Sequence, residues 1–145
     1  GVFRTMHEAE ASFAPVPTFT GATYLLNGQY PQAIEELQAG LKPFSRDALI
    51  AGLLAHALAR AGRQDEALRV VQDLNERSKR EYVNPYGIAL AYVGLGDKDQ
   101  AFAWLDRACE EYSSWLFLAK PEPLLDPLRP DPRFQGVLRK LGLAP

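Results

Sequence analysis

Apolar side chains recur along this chain at helical spacing. Leu49, Ile50, Leu53, Leu54, Ala57 and Leu58 follow an i, i+1, i+4, i+5 order, which places them on one side of a helix. The same period runs through Ala67, Leu68, Val71 and Leu74, and again through Ala101, Phe102, Leu105 and Ala108. Between these stretches stand Gly28-Gln29, Gly62-Arg63 and Gly96-Asp97, each putting glycine where a helix must end in a left-handed residue. Asp47 and Asn84 precede helical patterns as N-caps. Pro85 and Pro31 fall in a first turn, where a missing N–H leaves no hydrogen bond unmade.

The residue types agree with the spacing. The chain holds 21 Leu and 20 Ala against 7 Val, 3 Ile and 4 Thr, and β-branched residues lose χ1 freedom in a helix that Leu and Ala largely keep. An all-α fold is expected.

The three glycines are spaced 34 residues apart, and Ala33, Ala67 and Ala101 keep the same step. In that register Tyr24, Leu58 and Tyr92 align, as do Ile34, Leu68 and Phe102; Leu37, Val71 and Leu105; and the small residues Gly21, Ala55 and Ala89. Helices joined by a three-residue turn approach closely, so the small residues fall where the two must cross.

A 34-residue helix–turn–helix unit with small crossing residues, an aromatic near the end of the first helix and a glycine turn resembles the tetratricopeptide repeat. The resemblance covers about residues 14–115 and implies an α-α superhelix, or solenoid, of about three repeats at 14–47, 48–81 and 82–115. There are departures: the family's usual tryptophan position holds Pro17, Ala51 and Pro85, Leu58 replaces the aromatic, and Leu74 replaces a small residue. Extended backwards, the register makes residues 2–12 the second helix of a preceding repeat. The other reading of residues 1–13 is an arm that straps onto the body.

After Glu111 the register fails, and six prolines lie between Pro121 and Pro145. A solenoid must close its last apolar face, so residues 116–145 read as a proline-rich segment and a cap. Ser113 or Ser114 could start a short helix. Asp131-Pro132 starts a last amphipathic helix with Phe134, Val137, Leu138 and Leu141 as its stripe and Gly142 as its end. Tyr86-Gly87-Ile88-Ala89, Gly94-Leu95-Gly96-Asp97-Lys98, Ser114-Trp115-Leu116, Asp126-Pro127-Leu128-Arg129 and Asp131-Pro132-Arg133-Phe134 together resemble the C-terminal end of bacterial multidomain signalling proteins. Those proteins carry such repeats behind a winged-helix DNA-binding domain, a Ser/Thr kinase or a nucleotide cyclase. The resemblance implies an interaction or sensing module and no catalytic part.

Composition narrows the chemistry. At 145 residues the chain is one domain in size. An apolar share of 47% with 23% charged residues excludes intrinsic disorder, and the apolar run from Ala48 to Ala59 is too short to span a bilayer. A net charge of -2 supplies no field for nucleic acid or an anionic membrane. One cysteine and no signal-peptide pattern favour a reducing cytoplasm.

Candidate nucleophiles and ligands each have a simpler reading. Cys109 sits beside Ala108 as a small buried thiol, and His56 has no carboxylate in its own turn. His7 falls in the N-terminal arm. Glu35-Glu36 and Glu110-Glu111 are adjacent and diverge by about 100° around a helix. Gly94-Leu95-Gly96 lacks the strand and spacing of a nucleotide loop, and Arg77, Lys79 and Arg80 are offset by Glu76 and Glu81. No enzyme, cofactor or metal site is expected.

By resemblance, the first helix of each repeat lines an inner groove. Its positions here are Thr18, Ala22, Leu25 and Leu26; Leu49, Gly52, His56, Ala59 and Arg60; and Val83, Tyr86, Leu90 and Val93. Such an apolar strip suits a protein or peptide ligand such as an amphipathic helix, with Tyr86 as anchor and Arg60 fixing register. The alternative is a structural or oligomerisation module whose groove is covered by its own N-terminal arm or by a second protomer in a homodimer. The lysine, asparagine and arginine that grip a chaperone's terminal carboxylate in some family members are replaced by Thr18, Ala22, Leu53, Val83 and Gly87, so no carboxylate clamp is expected.

Overall fold

A computed structural model of the chain describes residues 15–43, 46–110 and 123–140. Among them every regular element is a helix: α1 (Pro15–Leu26), α2 (Tyr30–Leu41), α3 (Ala48–Arg60), α4 (Gln64–Ser78), α5 (Pro85–Leu95), α6 (Lys98–Glu110), a 3-10 helix (Pro123–Leu128) and α7 (Arg133–Lys140). The N-terminal segment 1–13, the serines at 113 and 114, and Leu141 with Gly142 lie outside the described residues.

The three glycine turns share one hydrogen-bond pattern. Gln29 N–H donates to Tyr24 O, Arg63 to Leu58 O and Asp97 to Tyr92 O, at 2.9, 2.8 and 3.0 Å. Gly28, Gly62 and Gly96 donate to Leu25, Ala59 and Val93, each at 3.1 Å. This is the Schellman arrangement, and its left-handed position is filled by glycine each time, at φ 73°, 86° and 80°. Ala33, Ala67 and Ala101 then donate to Gln29, Arg63 and Asp97 as each next helix begins. Backbone geometry thus repeats at the same 34-residue step as the side chains.

Both N-caps form. Asp47 Oδ1 accepts from the N–H groups of Leu49 and Ile50 at 2.9 and 3.0 Å, and Asn84 Oδ1 accepts from Tyr86 N–H at 3.0 Å. Asp131 caps α7 by accepting from Arg133 N–H at 2.9 Å.

The helices fall into two kinds. α2, α4 and α6 each bury one stripe: Ala33, Ile34, Leu37 and Gly40; Ala67, Val71 and Leu74; Ala101, Phe102, Leu105 and Ala108. α3 buries every residue from Ala48 to Ala59, so its apolar residues do not form the single face that their spacing predicts. It is enclosed by α1, α2, α4 and α5, and a helix apolar all round belongs in such a place. α1 packs on α3 and α3 on α5, while α1 and α5 have no comparable contact.

The crossing positions are fully enclosed: Ala33, Ala55, Ala67, Ala89 and Ala101 have no exposed surface. A Cβ on Gly21 would meet Leu37 Cγ at 2.5 Å, so glycine here faces a leucine. Leu74 fills a smaller cluster with Ala48, Ala51, Val83 and Ile88, where the alanines leave room for it. Leu68 departs from its register mates, being exposed where Ile34 and Phe102 are buried. Phe102 is covered by Arg133 of α7, whose guanidinium carbon lies 4.6 Å from the ring centroid.

The C-terminal elements close the third hairpin. α7 packs on α6 through buried Phe134, Val137 and Leu138, and Arg133 bonds Asp99 at 2.7 Å across the two helices. Arg133 also holds the Asp131 carboxyl down at about 2. The 3-10 helix lies on α5 and buries Leu124, Leu125 and Leu128, a second covering element that the proline run conceals in the sequence.

Candidate functional site

The predicted groove positions come together along α1, α3 and α5, but not as an open strip. Leu25, Leu49, His56, Val83, Tyr86, Leu90 and Val93 are all at most 7% exposed, Ala22 is half-buried, and Leu26, at 48%, and Arg60 are exposed. Thr18 lies outside the described side chains. The cause is a backbone approach between α3 and α5: a Cβ on Gly52 would meet the Gly87 carbonyl oxygen, and one on Gly87 would meet Ala48 O at 2.3 Å. Farther along the same seam, a Cβ on Gly94 would stand 2.6 Å from His56 Cα. Three glycines let the two helices touch, and the side chains between them close into the core.

The seam leaves two clefts, one at each end. The first, about 230 Å³, lies at the N-terminal ends of α3 and α5 between Arg46, Asp47, Ala48, Leu49, Tyr82, Val83 and Asn84. Tyr82 stands over it at 71% exposed. Arg46 pairs there with Glu81, which pulls that carboxyl below its usual range, and Arg77 Nη2 donates to Arg46 O at 2.8 Å. The rim is therefore tied to the end of α4.

The second cleft, about 270 Å³, lies at the C-terminal ends of α1 and α3. Leu25, Leu26, Tyr30, His56 and Arg60 form one side, and Pro123, Leu124 and Pro127 of the 3-10 helix form the other. His56 Nδ1 lies 2.8 Å from Leu90 O, and because a carbonyl only accepts, that nitrogen carries the proton. Burial, only partly offset by this bond and reinforced by the Arg60 charge, lowers the imidazole pKa to about 4. His56 is therefore neutral near pH 7, with Nε2 as an acceptor. It is a hydrogen-bonded core histidine at the edge of a cleft.

Cys109 is half-buried against the core rather than enclosed. Among the described residues no three His, Cys, Asp or Glu side chains gather as metal ligands would, and no helix is long and apolar enough to cross a membrane.

Spacing alone passed over Tyr82, Arg46 and the 3-10 residues. Tyr82 stands outside the aligned apolar positions, and its signal was a large aromatic just ahead of the Asn84 cap. No family model matches the chain, and neither a curated protein nor a solved structure does.

Proposed function

We propose that this chain is a tetratricopeptide-repeat solenoid of three units that binds a protein or peptide without catalysis, as the C-terminal interaction or sensing module of a larger bacterial signalling or regulatory protein. The observation that carries the reading is the Schellman turn repeated at Gly28, Gly62 and Gly96 with identical hydrogen bonds. Three equal hairpins stacked through α1, α3 and α5 support a solenoid.

Within that reading the docking surface is the cleft under Tyr82. An exposed aromatic over apolar Leu49 and Val83, with a charged rim of Arg46 and Glu81, has the make-up of a binding anchor inside a polar border. A partner's apolar side chain would enter the cleft, and Tyr82 would close over it. The charge balance of the chain favours a protein partner over nucleic acid.

The alternative, a structural or oligomerisation module, is favoured by the burial of nine of the thirteen candidate groove residues. Among the described residues, Pro123–Leu128 packs on α5 and walls the second cleft; the expected arm lies outside them.

The test is affinity capture from native lysate with the wild-type chain and with Tyr82→Ala, both checked by circular dichroism and light scattering. Tyr82 is exposed, so its variant keeps the fold. The reading requires partners lost from the variant; a Tyr82-dependent dimer with no other partner would favour the alternative.

A further inference from the structure

We propose that the cleft between the C-terminal ends of α1 and α3 and the 3-10 helix is a site for a small apolar carboxylic acid that carries one N–H or O–H donor. This goes beyond a protein-binding role and uses a different surface from the Tyr82 cleft.

The walls set the ligand's body. Leu25, Leu26, Tyr30, Pro123, Leu124 and Pro127 offer hydrocarbon on both sides. At about 270 Å³ the space lies just below the roughly 300–1,000 Å³ that drug-sized ligands occupy, so the ligand has about a dozen non-hydrogen atoms.

Two polar groups set its ends. Arg60 is exposed at the mouth, and no carboxylate among the described residues pairs with it. A guanidinium without a counter-ion beside an apolar cleft fits a carboxylate, which it binds through two parallel N–H donors. His56 is 3% exposed and lines the same cleft. Its Nδ1 is committed to Leu90 O, which leaves Nε2 an acceptor with no partner among the described residues. Where it faces the cleft, that acceptor can take a hydrogen bond from a donor on the ligand. An acid with an amide N–H or a hydroxyl beside its carboxylate answers both groups at once.

The site also has an element that can report occupancy. The 3-10 helix forms one whole wall, and the same helix rests on α5. A ligand that fills the cleft therefore joins α1, α3 and the C-terminal cover.

The test uses the full chain, isothermal titration and ¹H–¹⁵N chemical-shift mapping. The probes are N-acetyl-L-leucine, its amide N-acetyl-L-leucinamide, and N-acetyl-N-methyl-L-leucine, which lacks the donor. The acid is expected to bind with a dissociation constant on the order of 1 mM or below, given its size, and to shift Leu26, Tyr30 and Leu124. The amide and the N-methyl acid are each expected to bind at least about tenfold more weakly, the loss typical of one charged or buried hydrogen bond. Arg60→Gln, a surface change that keeps the fold, should weaken the acid about tenfold and leave the amide unchanged, while Tyr82→Ala should alter neither. Equal binding of acid and amide, no binding of the acid, or shifts confined to other surfaces would overturn the proposal. So would binding of a leucine-ending hexapeptide without binding of N-acetyl-L-leucine, which would place a peptide in the cleft. Failure of the Tyr82 capture experiment leaves these outcomes unaffected.

Discussion

A Cβ atom on Gly52 would stand 2.0 Å from the carbonyl oxygen of Gly87. Each glycine inside a helix costs about 1 kcal/mol relative to alanine, so the pair weakens α3 and α5 locally in order to bring them into contact. The gain is the closed seam that buries Tyr86 and Leu90.

Gly52→Ala should therefore destabilise the chain despite its better helix propensity. The clash is with backbone, which cannot rotate away, and overpacking of this kind costs about 3 kcal/mol, a fall of roughly 6–12 °C in the unfolding midpoint. Gly136→Ala supplies the contrast, because nothing lies within 4 Å of its Cβ position. That change should raise stability by about 0.5–1 kcal/mol. Thermal melts of the two variants check both signs.

Ala67 has no exposed surface where α4 crosses α3. Ala67→Leu should force the helices apart and lower the midpoint by roughly 4–8 °C, from a cost of about 2 kcal/mol. Leu68, its exposed neighbour, serves as control, and Leu68→Ala should stay within about 0.5 kcal/mol of wild type. Equal effects at the two positions would mean that the crossing is misplaced.

Gly62 has open space where a side chain would go but a φ of 86°. Gly62→Ala should cost about 1–2 kcal/mol through backbone strain alone. Chemical denaturation should show the loss with an unchanged dependence on denaturant, since the surface exposed on unfolding stays the same.

His56 makes stability depend on pH. Its pKa is lowered from 6.5 to about 4 in the folded chain, so the unfolded chain binds more protons between those values. Stability is then complete above about pH 6.5 and falls as the pH drops toward 4, by up to about 3 kcal/mol. His56→Asn, whose Nδ2 stands as far from Cβ as Nδ1 does and so keeps a donor for Leu90 O, should flatten that slope. Melting curves from pH 7.5 to 4 for both chains measure the difference directly.

The turns, the caps and the crossing alanines were legible because each depends on one or two residue types in a local arrangement: glycine at positive φ, Asp47 or Asn84 before a helix, alanine at a crossing. The closed inner face was not. Gly52 and Gly87 are 35 positions apart, and either alone reads as a weak spot in a helix; only their contact shows that they join α3 to α5 and withdraw Leu49, Val83, Tyr86 and Leu90 from solvent. The 3-10 cover was equally hidden, since Pro123 and Pro127 interrupt the period by which a helix is recognised. For that reason Tyr86 and Leu90, attractive as groove anchors in the sequence, are core residues, and Tyr82 and Arg60 are the better probes of binding.

The central claim is that three equal hairpins stack in a line. Glu35, Arg69 and Ala103 are exposed, one repeat step apart on α2, α4 and α6. Spin labels at their positions, introduced as cysteines in pairs on a Cys109→Ala background, report the separations by pulsed electron resonance. A linear stack gives matching distances for 35–69 and 69–103 and a clearly longer one for 35–103. A 35–103 distance no longer than the other two would mean a closed bundle and contradict the solenoid.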